Sequence, residues 1–149
     1  MILGGKMPDL SNETMLHLKN GSIEYLQFRK LLEYSDKVVH CYTLKGNNND
    51  YQNVINDNYE KLYKAIGLDY DGFVKISHQA HSDIIEEVER TNKEYTDIDG
   101  LITNNKGISL SLRFADCTPI LFYDPIKNAI GNIHSGWRGT AQKIGQKGA

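Results

Sequence analysis

The sequence predicts an α+β fold built on a mixed or antiparallel sheet. Three observations carry that prediction. Short runs rich in β-branched and aromatic residues, about eight of them, recur between turn-forming residues. Only one segment, Gln52–Ile66, has clear helical periodicity. Two apolar runs, Pro119–Tyr123 and Ala129–Ile133, flank Asp124-Pro125 and Lys127-Asn128, which supply the turn chemistry of a hairpin. At 149 residues the chain is long enough for one domain with its own core.

Taken in order, residues 1–22 carry little pattern, and Gly4-Gly5 and Pro8-Asp9 predict an irregular lead. Ser22–Phe28 alternates around Ile23 and Tyr25 and reads as a weak strand. Lys37–Thr43 is β-branched and aromatic, a better strand. Its neighbours His40 and Cys41 are expected on opposite faces, which makes them poor partners for one metal. Lys45-Gly46 and the asparagines at 47–49 form a loop. In the helix, Ile55, Tyr59, Leu62 and Ile66 share a face with Tyr63 beside them; Asp50 is the candidate cap and Gly67 the terminator. Phe73–Ser77, Asp83–Val88, Leu101–Thr103 and Ile108–Phe114 read as strands, with a turn at Asp97–Gly100. Thr140–Ile144 begins like a helix, and Gly145 and Gly148 argue against its continuing.

Composition narrows the function classes. Seventeen basic residues face nineteen acidic ones, a net charge of −2, so no basic surplus suggests a nucleic-acid surface. No apolar run approaches membrane-spanning length and no signal peptide is visible, so a cytoplasmic location is expected. Two cysteines, Cys41 and Cys117, do not make a disulfide framework. As free thiols they are available to bind metal or to react.

Chemistry-bearing residues crowd one stretch, Phe114–Gly139. It holds Asp116, Cys117, His134, the single tryptophan Trp137, and Arg138 between Gly136 and Gly139. A hairpin over this stretch brings the start of its first strand near the end of its second, so Cys117 and His134 share one end of the sheet. With His81 they offer two imidazoles and a thiolate, a set that suits Zn²⁺ and leaves a fourth position for water, which the ion acidifies. No short Cys-x-x-Cys or His-Glu-x-x-His signature accompanies them. The plain alternatives stay open at this stage: a buried hydrophobic cysteine, a hydrogen-bonded core histidine, a packing tryptophan and a surface arginine.

The same residues resemble the signature of a known family. Ala115-Asp116-Cys117-Thr118-Pro119-Ile120-Leu121, Asp124-Pro125, and Ile133-His134-Ser135-Gly136-Trp137-Arg138-Gly139-Thr140 look like that of the YfiH family. It is also called the laccase-domain or polyphenol oxidase family, and the peptidoglycan editing factors. Gln79-Ala80-His81, Asp99-Gly100-Leu101-Ile102-Thr103-Asn104, His40-Cys41-Tyr42-Thr43 and Asn58 extend the resemblance over residues 37 to 144. It implies a layered α/β/β/α sandwich with mixed sheets, related to the cytotoxic-necrotising-factor deamidases. It implies zinc held by His81, Cys117 and His134. The implied activity is phosphorolysis of adenosine, inosine and methylthioadenosine, with adenosine deamination; the partners are a purine nucleoside and phosphate. Cys117, His134, Asp116 and Arg138 are the expected catalytic residues, and Arg138, Lys45, His40 and Gln79 the expected substrate or phosphate contacts.

Rival readings follow from the same residues. Five histidines are too few for a laccase-type multicopper centre. A single blue-copper site uses two His and one Cys, but usually wants an axial methionine. Met1, Met7 and Met15 all lie in the lead, so copper ranks below zinc. A cysteine hydrolase or amidase acting on peptidoglycan precursors would use Cys117 as nucleophile, His134 as base and Asp116 to orient it. Departures from the family pattern include Leu44-Lys45-Gly46-Asn47 in place of a Thr-Arg and glycine pair, and Tyr59 in place of an arginine. Family members continue well beyond the Gly-Trp-Arg-Gly-Thr turn. The chain is therefore expected to lack the C-terminal part of the fold, to keep the three ligands, and to self-associate through an open sheet edge. An inactive relic is the third reading.

Overall fold

The computed structural model describes residues 8–44, 56–68 and 73–149. Lys45, the asparagine loop, the Asp50 cap and the Gln52–Ile55 start of the expected helix lie outside the described residues. The chain divides into two compact units, Met1–Asp69 and Tyr70–Ala149.

In the first unit, strands β1 (Met15–Asn20), β2 (Ile23–Phe28) and β3 (Tyr42–Thr43) pair antiparallel in that order, with helices α1 (Arg29–Leu32) and α2 (Asn56–Ala65). The lead is thus not irregular throughout, because Met15–Asn20 is a strand. Its register is set by the tight turn at Gly21, whose φ of 61° glycine adopts without steric cost. The Asn12 side chain secures its start by accepting the Thr14 and Met15 N–H groups. The expected Lys37–Thr43 strand shrinks to Tyr42–Thr43. Lys37 and Val38 donate instead to the Tyr34 carbonyl. His40 sits beyond the ladder: its Nε2 accepts the Phe28 N–H at 2.7 Å, and its ring stacks on Phe28. Burial holds the His40 imidazole below its ordinary pKa.

Helix α2 ends as the sequence predicts. Gly67 takes φ 78°, its N–H bonds to the Lys64 carbonyl, and Leu68 N–H reaches back to Tyr63. That paired pattern is the Schellman stop, which needs a left-handed residue after the last turn. Ile23, Tyr25 and Leu62 form the core, with Leu18, Cys41, Ala65 and Ile66 packed on it. Burial there pushes the Cys41 thiol up to about 12.

The second unit holds a mixed four-stranded sheet in the order β5 (Ile85–Glu87), β6 (Gly100–Thr103), β9 (Ala129–Ser135), β8 (Thr118–Asp124). β5 and β6 run parallel, and the other pairings are antiparallel. A parallel pair, β4 (Phe73–Lys75) with β7 (Ser109–Ser111), stands beside it. Val74, Ile76, Val88, Tyr95, Ile98 and Leu101 make the core, packed against Ile108, Leu110 and Leu112. Among the described residues no helix is long and apolar enough to cross a membrane.

The last turns correct another expectation. After α3 (Trp137–Ala141) the chain is helical again in α4 (Ile144–Gly148), despite its two glycines. Helix propensity loses here to packing. Ile144 is fully buried, and a Cβ at Gly148 would overlap the Ile133 side chain. At Gly145 a Cβ would lie 3.0 Å from Ile120 Cδ1. The glycines let the helix backbone approach the sheet, and the burial gained offsets their entropic cost of about 1 kcal/mol each.

Candidate metal centre

The β8–β9 hairpin is where the sequence places it. Thr118 opposes Ser135 and Pro119 opposes His134. Cys117, one residue before β8, therefore sits at the same sheet end as His134 near the close of β9. The third member, His81, arrives on the loop between β4 and β5. Its φ is 58°, a left-handed conformation that a residue with a side chain rarely adopts. The candidate ligand atoms of His81, Cys117 and His134 all lie within 4.8 Å of one another. Among the described residues they are the one such group of three. The rings of His81 and His134 meet edge to face at 4.9 Å between centroids.

Burial grades across the group: His134 is buried, Cys117 half-buried and His81 exposed. One side is therefore fixed in the protein and the other open. Gly136 closes the back, since a Cβ there would lie 2.9 Å from His81 Cδ2 and 3.4 Å from Cys117 Sγ. Phe114 lies against the His134 ring at 5.6 Å.

The residue that sequence reasoning missed is Asp99. It is 0 % exposed and lies immediately before β6. Its Oδ1 stands 2.7 Å from His134 Nδ1 and accepts the His81 N–H at 3.1 Å. Its Oδ2 accepts from the Ser82 N–H at 2.6 Å and the Ser82 hydroxyl at 2.7 Å. Burial alone would raise its carboxyl; the bonds from Ser82, His134 and His81 outweigh that and hold it below the usual carboxylate range. The sequence offered one signal, the match of Asp99-Gly100-Leu101 to a family segment, but no spacing rule ties position 99 to position 134.

The donor set fits zinc. Ligands about 2.0–2.3 Å from a tetrahedral ion stand roughly 3.3–3.8 Å apart, so the widest pair has to draw in by about 1–1.5 Å. A blue-copper site would want a thioether as well, and no methionine occurs between Tyr70 and Ala149.

The family model described as multi-copper polyphenol oxidoreductase laccase matches residues 26–149. The chain belongs to this laccase-like YfiH family. A purine nucleoside phosphorylase of Borreliella burgdorferi is 36% identical over 120 residues, covering 80% of this chain and 48% of that protein. The crystal structure of YlmD from Geobacillus stearothermophilus matches with a TM-score of 0.55 and 32% identity, over 66% of this chain and 40% of that one. The crystal structure of the Bacillus licheniformis hypothetical protein YfiH shares the fold, with a TM-score of 0.59 at 23% identity, over 93% of this chain and 55% of that one. The chain thus spans about half the length of the curated Borreliella relative.

In this YfiH-family chain the remaining expected site residues fall as follows. Asp116 is exposed, and the Cys117 thiol donates to its Oδ1 across 3.7 Å. Burial pushes that thiol up, and the Asp116 charge adds to the effect. Arg138 is exposed in α3 with its guanidinium 5.2 Å from the Trp137 ring centre; Trp137 is itself 75% exposed. Gln79 uses both ends of its amide on the backbone of Arg113, accepting its N–H and donating to its carbonyl at 2.8 Å each. That ties the loop bearing His81 to the segment leading to Cys117. His40 belongs to the first unit, with its Nε2 engaged by Phe28.

Proposed function

We propose that this chain carries the zinc centre of a purine nucleoside phosphorylase, acting on adenosine, inosine and methylthioadenosine, with adenosine deamination as a second reaction. The convergence of the His81, Cys117 and His134 ligand atoms within 4.8 Å carries the reading. The phosphorylase name of the Borreliella relative, similar over four-fifths of this chain, supports the substrate class. Zinc, when bound, supplies Lewis-acid chemistry at neutral pH without redox change. The three ligands hold it, and their open side at His81 admits the nucleoside. In phosphorolysis a phosphate oxygen bonds to the ribose carbon as the glycosidic bond breaks, and the departing base takes up a proton. We assign the movement of that proton to Asp116, which is exposed beside Cys117. We assign phosphate binding to Arg138, exposed in α3, through the two-pronged contact a guanidinium makes.

Elemental analysis should find close to one zinc per chain, and adenosine with phosphate should release adenine only when phosphate is present. A chain free of zinc that releases neither base nor inosine would defeat the reading.

A second reading has one observation in its favour. Asp99, His134 and Cys117 stand in the order of an orienting carboxylate, a base and a nucleophile. Such a cysteine amidase would act on peptidoglycan precursors unaffected by chelators. Chelator-sensitive turnover rejects it.

The outer edge of β8 is unpaired by any described strand, and every strand residue after Thr118 is half-buried. We propose that two copies associate along it, as unpaired edges template pairing. Sedimentation should show dimers that dissociate when Leu121→Lys puts a charge there. A monomer at all concentrations contradicts this.

A further inference from the structure

We propose that Asp99 is the positioning residue of this centre: its buried carboxylate fixes the tautomer of His134 and the left-handed turn at His81 together. The inference rests on the metal reading above. Its own basis is the bonding of one side chain. A carboxylate has only acceptors, and Asp99 meets donors on both oxygens. Two of them have no alternative role, and a third is a hydroxyl already committed as a donor. The backbone N–H groups of His81 and Ser82 can only donate, and the Ser82 hydroxyl donates to the same Oδ2 as the Ser82 N–H. The fourth partner, His134 Nδ1 at 2.7 Å from Oδ1, must therefore present a hydrogen as well. The neutral ring then carries its hydrogen on Nδ1 and leaves the Nε2 lone pair free.

The backbone gives the same direction. His134 N–H donates to the Asp99 carbonyl at 2.7 Å, and Asp99 N–H donates to the Ile84 carbonyl at 3.0 Å. Asp99 is thus locked at both ends of its peptide before its side chain makes any bond. The His81 turn is the part that needs holding. A φ of 58° at a histidine is a strained conformation that persists only where surroundings over-determine it. The Asp99 carboxylate supplies that constraint by bonding two successive N–H groups, those of His81 and Ser82. Gly139 presses from the other side: a Cβ there would stand 2.7 Å from the Ser82 carbonyl oxygen. One carboxylate therefore sets the aim of one imidazole ligand and the chain path of the other. Carboxylate partners of metal-ligating histidines commonly act so.

An amide cannot replace it. Asp99→Asn keeps shape and burial but turns one oxygen into a donor. If the amide nitrogen takes the Oδ2 place, it faces the Ser82 N–H, which cannot reverse. If it takes the Oδ1 place, it faces the His81 N–H and drives His134 to move its hydrogen onto Nε2, the atom needed for metal.

The test begins on metal-stripped wild-type protein. ¹⁵N NMR of the imidazoles should show His134 as a single Nδ1–H tautomer with a slowly exchanging ring proton. This readout needs neither metal nor substrate, so it stands or falls apart from the proposed reaction. Asp99→Asn should mix or invert that tautomer and weaken zinc binding about 10–100-fold, with its circular dichroism unchanged. Ser82→Ala, which keeps the His134 contact, should preserve the tautomer and lose less zinc affinity. If the Asp99→Asn protein does not fold, the wild-type tautomer and the Ser82→Ala protein decide the matter. A His134 found with its hydrogen on Nε2, or Asp99→Asn binding zinc within twofold of wild type, would overturn the proposal. Wild-type protein that shows the Nδ1–H tautomer yet binds no zinc would overturn the metal reading and leave the tautomer assignment standing.

Discussion

Cys117→Ser is expected to lose zinc by roughly 100-fold or more in affinity, the largest effect of any single change at the site. The thiolate is the only anionic ligand of the three, and a hydroxyl does not ionise to replace it near neutral pH. The fold should survive, because Cys117 is half-buried just before β8 and its thiol makes only a weak 3.7 Å contact with Asp116 among the described residues. Thiol chemistry gives an independent measure. In metal-free wild-type protein iodoacetamide should label Cys117, and zinc should suppress that labelling. Cys41 should stay silent in both states, since burial pushes its thiol up to about 12. Zinc titration followed by competition with a chromophoric chelator reads the affinity, and peptide mass mapping reads the label. Equal zinc content in Cys117→Ser and wild type, or labelling indifferent to zinc, would remove Cys117 from the ligand set.

How much of this was legible in the sequence depended on whether a local signal existed. The hairpin that joins Cys117 to His134 was legible, because two apolar runs and an Asp-Pro turn fix the register across β8 and β9. The end of α2 was legible for the same reason: a glycine one residue past the last apolar position can adopt φ 78°. Strand β1 was not, since Met15–Asn20 has weak alternation and is held by pairing to β2 through the Gly21 turn. α4 was not, because the property that lowers its propensity, two residues without Cβ, is what lets it pack on the sheet. Asp99 was the largest omission. Its importance comes from four donors converging on it from positions 81, 82 and 134. Those partners are long-range or non-helical neighbours, and no periodicity marks them. The expected helper of His134, Asp116, turned out to face the thiol instead.

Gly136→Ala should separate site geometry from fold stability more cleanly than any ligand change. Gly136 has φ −72° and ψ 171°, an extended conformation open to alanine, so no backbone strain enters. What enters is volume. The new methyl would stand 2.9 Å from His81 Cδ2 and 3.4 Å from Cys117 Sγ, between two of the three ligands. The Asp99 bond and the strained turn hold the His81 backbone, so the imidazole has to yield by rotating, which carries its nitrogens off line. Overpacking of this kind costs about 1–3 kcal/mol. If that cost falls mainly on the state with the ligands drawn together, zinc affinity drops roughly tenfold to hundredfold while the metal-free protein melts within a few degrees of wild type. Gly148→Ala is the converse control. Its methyl would overlap the Ile133 side chain and stand 3.2 Å from Phe122 Cε2 and 3.3 Å from Ile85 Cδ1, so it should lower stability and leave zinc affinity unchanged. Calorimetry on both proteins, with and without zinc, separates the outcomes. A Gly136→Ala protein that binds zinc like wild type would mean that the ion sits away from the His81–Cys117 edge, and the three-ligand arrangement would have to be abandoned.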